Sequence, residues 1–232
     1  MGEAGLPHEL PFPLTDTDRY VLSQTDEEYK YHDWAELKNI IGQYPLPEYS
    51  TYVPLKKAVE TSGTEKRKPS DLRKYIRWSA ATRNEYGSMT KYLLVNRLPR
   101  AWGEPPFSPM SQTPFQDASD YRVLVNDWPY GFTAGIVHIV VWSRTIIPTD
   151  PTTGDMTPES RKIVADFVES YFVDRLGPGG QEKVLWFKNW VALQSVRALE
   201  HIHVMVRDVP AEIVQEWAQE QACHKLDGTA GS

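Results

Sequence analysis

The stretch Glu200-His201-Ile202-His203-Val204-Met205-Val206-Arg207-Asp208 decides how this chain reads. Successive strand side chains point to opposite faces of a sheet, so residues two apart share one. His201, His203 and Met205 line one face, and Ile202, Val204 and Val206 line the other. The aliphatic set is the pattern of a strand laid on a core. Two imidazoles side by side on the opposite face need another explanation, and they mark the candidate site.

Working outward, KVLWFKNWV (183–191) reads as the strand before it, and YRVLVND (121–127) and GIVHIVVWS (135–143) as two earlier strands. Pro129 and Gly131 make the turn between those two, and His138 shares a strand face with Val140 and Trp142. Thr157 with Pro158 starts a helix that puts Ile163, Val164, Phe167, Val168, Tyr171 and Phe172 on one stripe. That helix, expected over 158–175, stops at the Gly-Pro-Gly-Gly of 177–180. A last helix is expected near 210–223, with Ile213, Val214 and Trp217 inward. Strand-strand-helix-strand-strand predicts an antiparallel sheet with packed helices, an α+β fold.

The N-terminal half is less regular. Residues 1–20 read as an extended arm, and Thr25 with Glu28 forms a capping box ahead of a helix carrying Trp34, Leu37, Ile40 and Ile41. A Pro-rich loop follows over 43–69, then a helix capped by Ser70, then a second Pro-rich stretch over 99–116. The expected organisation is an arm (1–20), an N-terminal helical region with a Pro-rich linker (21–118), an α+β core (119–223) and a flexible tail (224–232).

Composition narrows the classes. The single cysteine, Cys223, excludes an internal disulfide framework and a multi-cysteine zinc site, and suits a reducing compartment. The first residues lack the basic and apolar regions of a signal peptide, and no apolar run is long enough for a membrane helix. The expectation is a cytoplasmic, alternatively nuclear, protein without a membrane partner. Residues 55–100 carry twelve Lys and Arg against four acids, a surplus of +8. With a net charge of −6, the rest of the chain carries −14. That belt is either a solvated helix face or an attractor for phosphate-bearing ligands. A long nucleic acid is a poor candidate partner, and none is expected, because the molecule as a whole repels a polyanion.

Two chemistries use a face such as that of His201 and His203. A neutral imidazole can attack phosphorus when its other nitrogen is held by a hydrogen bond that sets the tautomer. Alternatively His138, His201 and His203 bind a divalent metal through neutral nitrogens. The first chemistry needs no cofactor, and the second needs the metal. Trp128, Tyr130 and Trp190 could stack a base, or simply pack.

The segment from Leu124 to Arg207 resembles the histidine-triad (HIT-like) nucleotide hydrolases and transferases. The matching residues are Asn126 and Asp127 before Pro129, His138 in the second strand, Asn189, Gln194-Ser195-Val196, and His201-Ile202-His203. Three extra residues, roughly Ala198–Glu200, precede the first histidine. Leu193 replaces a glycine, and Met205 stands where a third histidine belongs. The segments NDWPYGF, GIVHIVVWSR, VLWFKNWVALQSV, ALEHIHVMVRD and KPSDLRKYIRW also resemble fungal proteins named for induction by N-acetylglucosamine. That second resemblance covers nearly the whole chain and implies a fungal, intracellular protein.

The HIT-like resemblance implies an HIT-like α+β fold and a nucleotide or phosphorylated small molecule as partner. His203 would be the nucleophile toward phosphorus, and His201 would orient it or bind phosphate. Gln194 and Ser195 would hold phosphate oxygens, Asn126 or Asp127 the ribose, and Asn189 a sugar or phosphate, with His138 beside them. The expected activity is that of a nucleotide hydrolase or nucleotidyltransferase. The rivals are a metal-dependent small-molecule enzyme using His138, His201 and His203, and a non-catalytic ligand-binding protein of carbohydrate-responsive metabolism.

Overall fold

Four strands, β1 (Tyr121–Val125), β2 (Ile136–Ser143), β3 (Val184–Phe187) and β4 (Glu200–Arg207), form one antiparallel sheet in the order β1-β2-β4-β3. The computed structural model describes residues 6–41, 67–189, 196 and 198–218. Leu124 faces Val140 across β1 and β2, and Phe187 faces His203 across β3 and β4. β2 and β4 are hydrogen-bonded neighbours at the centre.

The alternation read from the sequence sets the two faces. Val123, Ile139, Val141, Ile202, Val204 and Val206 turn toward the helices α5 (Pro158–Val168) and α7 (Ala211–Ala218). There they meet Val164, Phe167, Phe172, Val214 and Trp217, all buried. Burying an aliphatic or aromatic side chain of this size stabilises by roughly 1.5–3 kcal/mol.

The Thr157 hydroxyl caps α5 by accepting from the Ser160 amide, with Pro158 in the first turn. The single helix expected over 158–175 is broken up: α5 passes through a π-helical stretch (Glu169–Val173) into a short α6 (Asp174–Leu176). The expected strand over 183–191 ends at Phe187, where Lys188 turns to pair with Glu200 and Asn189 meets His203.

The chain divides into two compact units, Met1–Met89 with Asp127–Ile136, and Thr90–Asn126 with Val137–Ser232. The boundary expected near residue 118 falls within the second of these units. α4 (Met89–Asn96) leads into a segment tied to the sheet unit, where the Trp102 indole donates to the Ser119 carbonyl at 2.8 Å. Asp120 anchors the same segment. Fully buried, it accepts from the Met110 and Ser111 amides and from Arg144 Nε at 2.9, 2.8 and 2.6 Å.

In the other unit, the arm expected over 1–20 contains helix α1 (Asp16–Leu22), because Thr15 and Asp18 form a capping box. The box between Thr25 and Glu28 also forms but closes only a turn. Helix α2 (Trp34–Ile41) is capped instead by Asp33, whose carboxylate accepts from the Glu36 amide at 2.8 Å. Ser70 does not cap α3 (Pro69–Tyr86) with its hydroxyl. Its own backbone amide donates to Asp26, 44 residues earlier, at 2.8 Å. From the basic belt, Arg67 lies over the Tyr75 ring at 4.0 Å and donates to the Trp128 carbonyl at 3.0 Å. Trp128 packs on Trp78 and Tyr75 at 5.1 and 5.5 Å, so this tryptophan takes the packing role. No helix among the described residues is long and apolar enough to cross a membrane.

Candidate functional site

The sheet order builds the site. Because β2 lies beside β4, His138 and His203 meet although 65 residues separate them, with His138 Nε2 2.9 Å from His203 Nδ1. Phe187, directly across from His203 on β3, stacks on its ring at 4.8 Å and 16°. Trp142, two positions after Val140 on β2, lies 4.7 Å from the His201 ring. The face is covered: His138, His201 and His203 are 2%, 3% and 6% exposed, and Met205 is fully buried.

Asparagines stand at both ends of the imidazole pair. Asn126 lies 3.2 Å from His138 Nδ1, and Asn189 lies 3.4 Å from His203 Nε2. A neutral imidazole carries one N–H, so the tautomers along this row are coupled. If both asparagines donated their amide N–H, His138 would be protonated on Nε2 and His203 on Nδ1. Two protons would then occupy a 2.9 Å contact that holds one. One of the two amides therefore presents its oxygen. With the Asn126 oxygen toward His138, the proton between the rings belongs to His203 Nδ1, and His203 Nε2 keeps its lone pair. With the Asn189 oxygen toward His203, that nitrogen is protonated.

His201 is fixed independently. Its Nδ1–H donates to the Leu199 carbonyl at 3.0 Å, which leaves the lone pair on Nε2. Burial pushes its pKa from 6.5 down to about 4, and the Lys188 charge adds to that push, so the ring is neutral at neutral pH. Lys188, itself buried, pairs with Glu200 at 3.1 Å.

The structure thus brings together His138, His201, His203, Asn126 and Asn189. Asp127 is exposed and belongs to the other compact unit. Gln194 and Ser195 lie outside the described residues. For a divalent metal, the donor set does not fit. His138 and His203 turn nitrogens on each other, and among the described residues no group of three or more His, Cys, Asp or Glu side chains converges to hold an ion. The Leu199 carbonyl, Phe187 and Lys188 were missed in the sequence. Strand alternation across β3 and β4 would have placed Phe187, but nothing local marks a backbone carbonyl as a tautomer lock.

The family described as "Protein of unknown function (DUF3605)" matches residues 51–207. The chain belongs to this family. Within the DUF3605 match lie all four strands and the three histidines of the site. The chain is 36% identical over 104 residues to N-acetylglucosamine-induced protein 1 of Candida albicans, covering 44% of this chain and 40% of that protein. It is 31% identical over 120 residues to an uncharacterized protein of Saccharomyces cerevisiae, covering 51% of this chain and 59% of that one. The chain therefore spans about two-fifths to three-fifths of these relatives' lengths, and both are fungal. The crystal structure of HTC1 shares the fold, with a TM-score of 0.58 and 23% identity over 82% of this chain and 94% of that one.

Proposed function

We propose that this DUF3605 protein is an HIT-like enzyme, a hydrolase or nucleotidyltransferase in which His203 attacks the phosphorus of a nucleotide or other phosphorylated small molecule. The observation that supports this reading is the 2.9 Å bond between His203 Nδ1 and His138 Nε2. A nucleophilic imidazole needs its second nitrogen held so that the first keeps its lone pair. His138 is placed to accept that proton, provided Asn126 presents its oxygen to His138 Nδ1. As the N–P bond forms, positive charge grows on the His203 ring, and His138 can take up part of it through the shared proton. Phe187, stacked on the ring, holds its plane, and Asn189 stands beside the attacking nitrogen, where its amide can meet a phosphate oxygen. His201, neutral and locked by Leu199, accompanies the nucleophile without competing for its proton. The name of the Candida relative supports a setting in carbohydrate-responsive metabolism, inside a fungal cell.

The test is His203→Asn against wild type. α-³²P-labelled nucleotides are incubated with each, and acid-labile phosphoramidate is sought on the protein. The expected result is a histidine adduct in wild type and a fall in turnover of at least about 10³-fold in the variant. Nucleotide binding with equal or zero turnover in both proteins defeats the enzyme reading and favours a ligand-binding protein. Loss of activity on chelation favours the metal reading instead.

A further inference from the structure

Three Ser-Pro or Thr-Pro pairs occur in the sequence: Ser108-Pro109, Thr113-Pro114 and Thr157-Pro158. A protein kinase that reads such a pair needs the hydroxyl free and the flanking residues able to lie extended across its cleft. Proline suits the position after the acceptor because it brings no N–H that the cleft would have to pair. The fold treats the three pairs differently. The Thr157 hydroxyl is spent on capping α5: it accepts from the Ser160 amide and donates to the Ser160 hydroxyl, both at 3.1 Å. Thr113 is exposed, but the Gln116 amide closes a turn on its carbonyl at 3.4 Å, and the two residues after it are buried. One of these, Phe115, has a φ of 63° and stacks on Phe167 at 4.4 Å, so extending this stretch would draw the ring out of the core.

Ser108 has neither restraint. It is exposed, and among the described residues nothing hydrogen-bonds its hydroxyl. Residues 107–109 form no helix, strand or turn; Pro106 and Met110 on either side are exposed, Met110 at 73%. The stretch is nevertheless held at both ends. Lys91 on α4 pairs with Glu104, and the Met110 and Ser111 amides donate to the buried Asp120 at 2.9 and 2.8 Å. Between these anchors the chain is presented open and already ordered, which lowers the entropy cost of docking it in a cleft.

We propose that Ser108 is a phosphorylation site for a proline-directed protein kinase. The inference is independent of the chemistry assigned to His203. Ser108 Oγ forms a bond to the γ-phosphorus of ATP as the bond from that phosphorus to the β–γ bridging oxygen breaks. ADP leaves with the electron pair, and the hydroxyl proton passes to the kinase's own base. The product carries an added charge of about −1.5 to −2 at neutral pH. Residues 101–121 contain Glu104, Asp117 and Asp120 but no Lys or Arg, so nothing within the stretch itself neutralises it.

The experiment incubates the full, folded chain with an active mitogen-activated protein kinase, a proline-directed enzyme, and γ-³²P-labelled ATP. Fragment-ion mass spectrometry then assigns the site. Wild type should take up about one phosphate per chain, on Ser108. Ser108→Ala should lower incorporation by at least about tenfold, and Pro109→Ala should lower it comparably, because the proline is what the kinase reads. Thr113→Ala should leave incorporation unchanged. Ser108 and Pro109 lie in an exposed stretch, and circular dichroism of each variant verifies that its fold is intact. Absence of label on wild type, label on Thr113 or Thr157 in place of Ser108, or undiminished label in Ser108→Ala overturns the proposal. Undiminished label in Pro109→Ala overturns the assignment to a proline-directed kinase.

Discussion

Acidification should destabilise this protein through one buried ring. Burial, with the Lys188 charge beside it, holds the pKa of His201 down from 6.5 to about 4. Unfolding exposes the ring, which then binds a proton near its ordinary value. Between those two values the unfolded state holds more protons than the folded one, so stability falls as pH falls. The contribution is fully present above about pH 6.5 and gone near pH 4. At about 1.4 kcal/mol per pH unit across that gap, roughly 2–3 kcal/mol should vanish between about pH 7.5 and about pH 4.5.

The comparison that isolates it is His201→Gln, whose amide can still donate to the Leu199 carbonyl but does not titrate. Urea unfolding of both proteins at the two pH values yields four stabilities, and carboxylate titration is common to both chains. The stability gap between wild type and variant should shift against wild type by about 2–3 kcal/mol on acidification. A gap constant to within about 0.5 kcal/mol would show that His201 is hydrated or already protonated when folded, and the tautomer argument for this ring would fail.

Asp120→Ala should cost about 3–5 kcal/mol in chemical denaturation, because Arg144 and two loop amides lose a fully buried carboxylate; a loss under about 1 kcal/mol contradicts its anchoring role. Gly131→Ala places a Cβ 2.0 Å from the Tyr29 hydroxyl, so a cost of about 1–3 kcal/mol is expected, partly recovered by Tyr29→Leu. An unchanged melting temperature in Gly131→Ala would mean that the Tyr29 ring moves aside freely.

The sheet was legible because its code is local. Ile202, Val204 and Val206 alternate with His201, His203 and Met205 within one strand, and alternation alone assigns the two faces. The same holds for β2 and for α5, whose Thr157-Pro158 start is written in adjacent residues. Local signals misled where a distant group did the same work. The Thr25–Glu28 box is real but closes a turn, and at the start of α3 the Ser70 amide is met by Asp26 while the Ser70 hydroxyl does not cap the helix.

What the sequence by itself determined is which residues share a strand face and where most of the elements begin. What only the tertiary structure decided is which strands are neighbours, and with that the chemistry of the site. His138 reaches His203 because β2 lies beside β4, a pairing that no residue near either histidine encodes. The protonation states follow from the same packing. Burial and the Lys188 charge keep His201 neutral, the Leu199 carbonyl sets its tautomer, and the single proton held between His138 and His203 couples Asn126 to Asn189. Strand order and desolvation are properties of the assembled chain, since both depend on groups that come together only when segments far apart in sequence are packed.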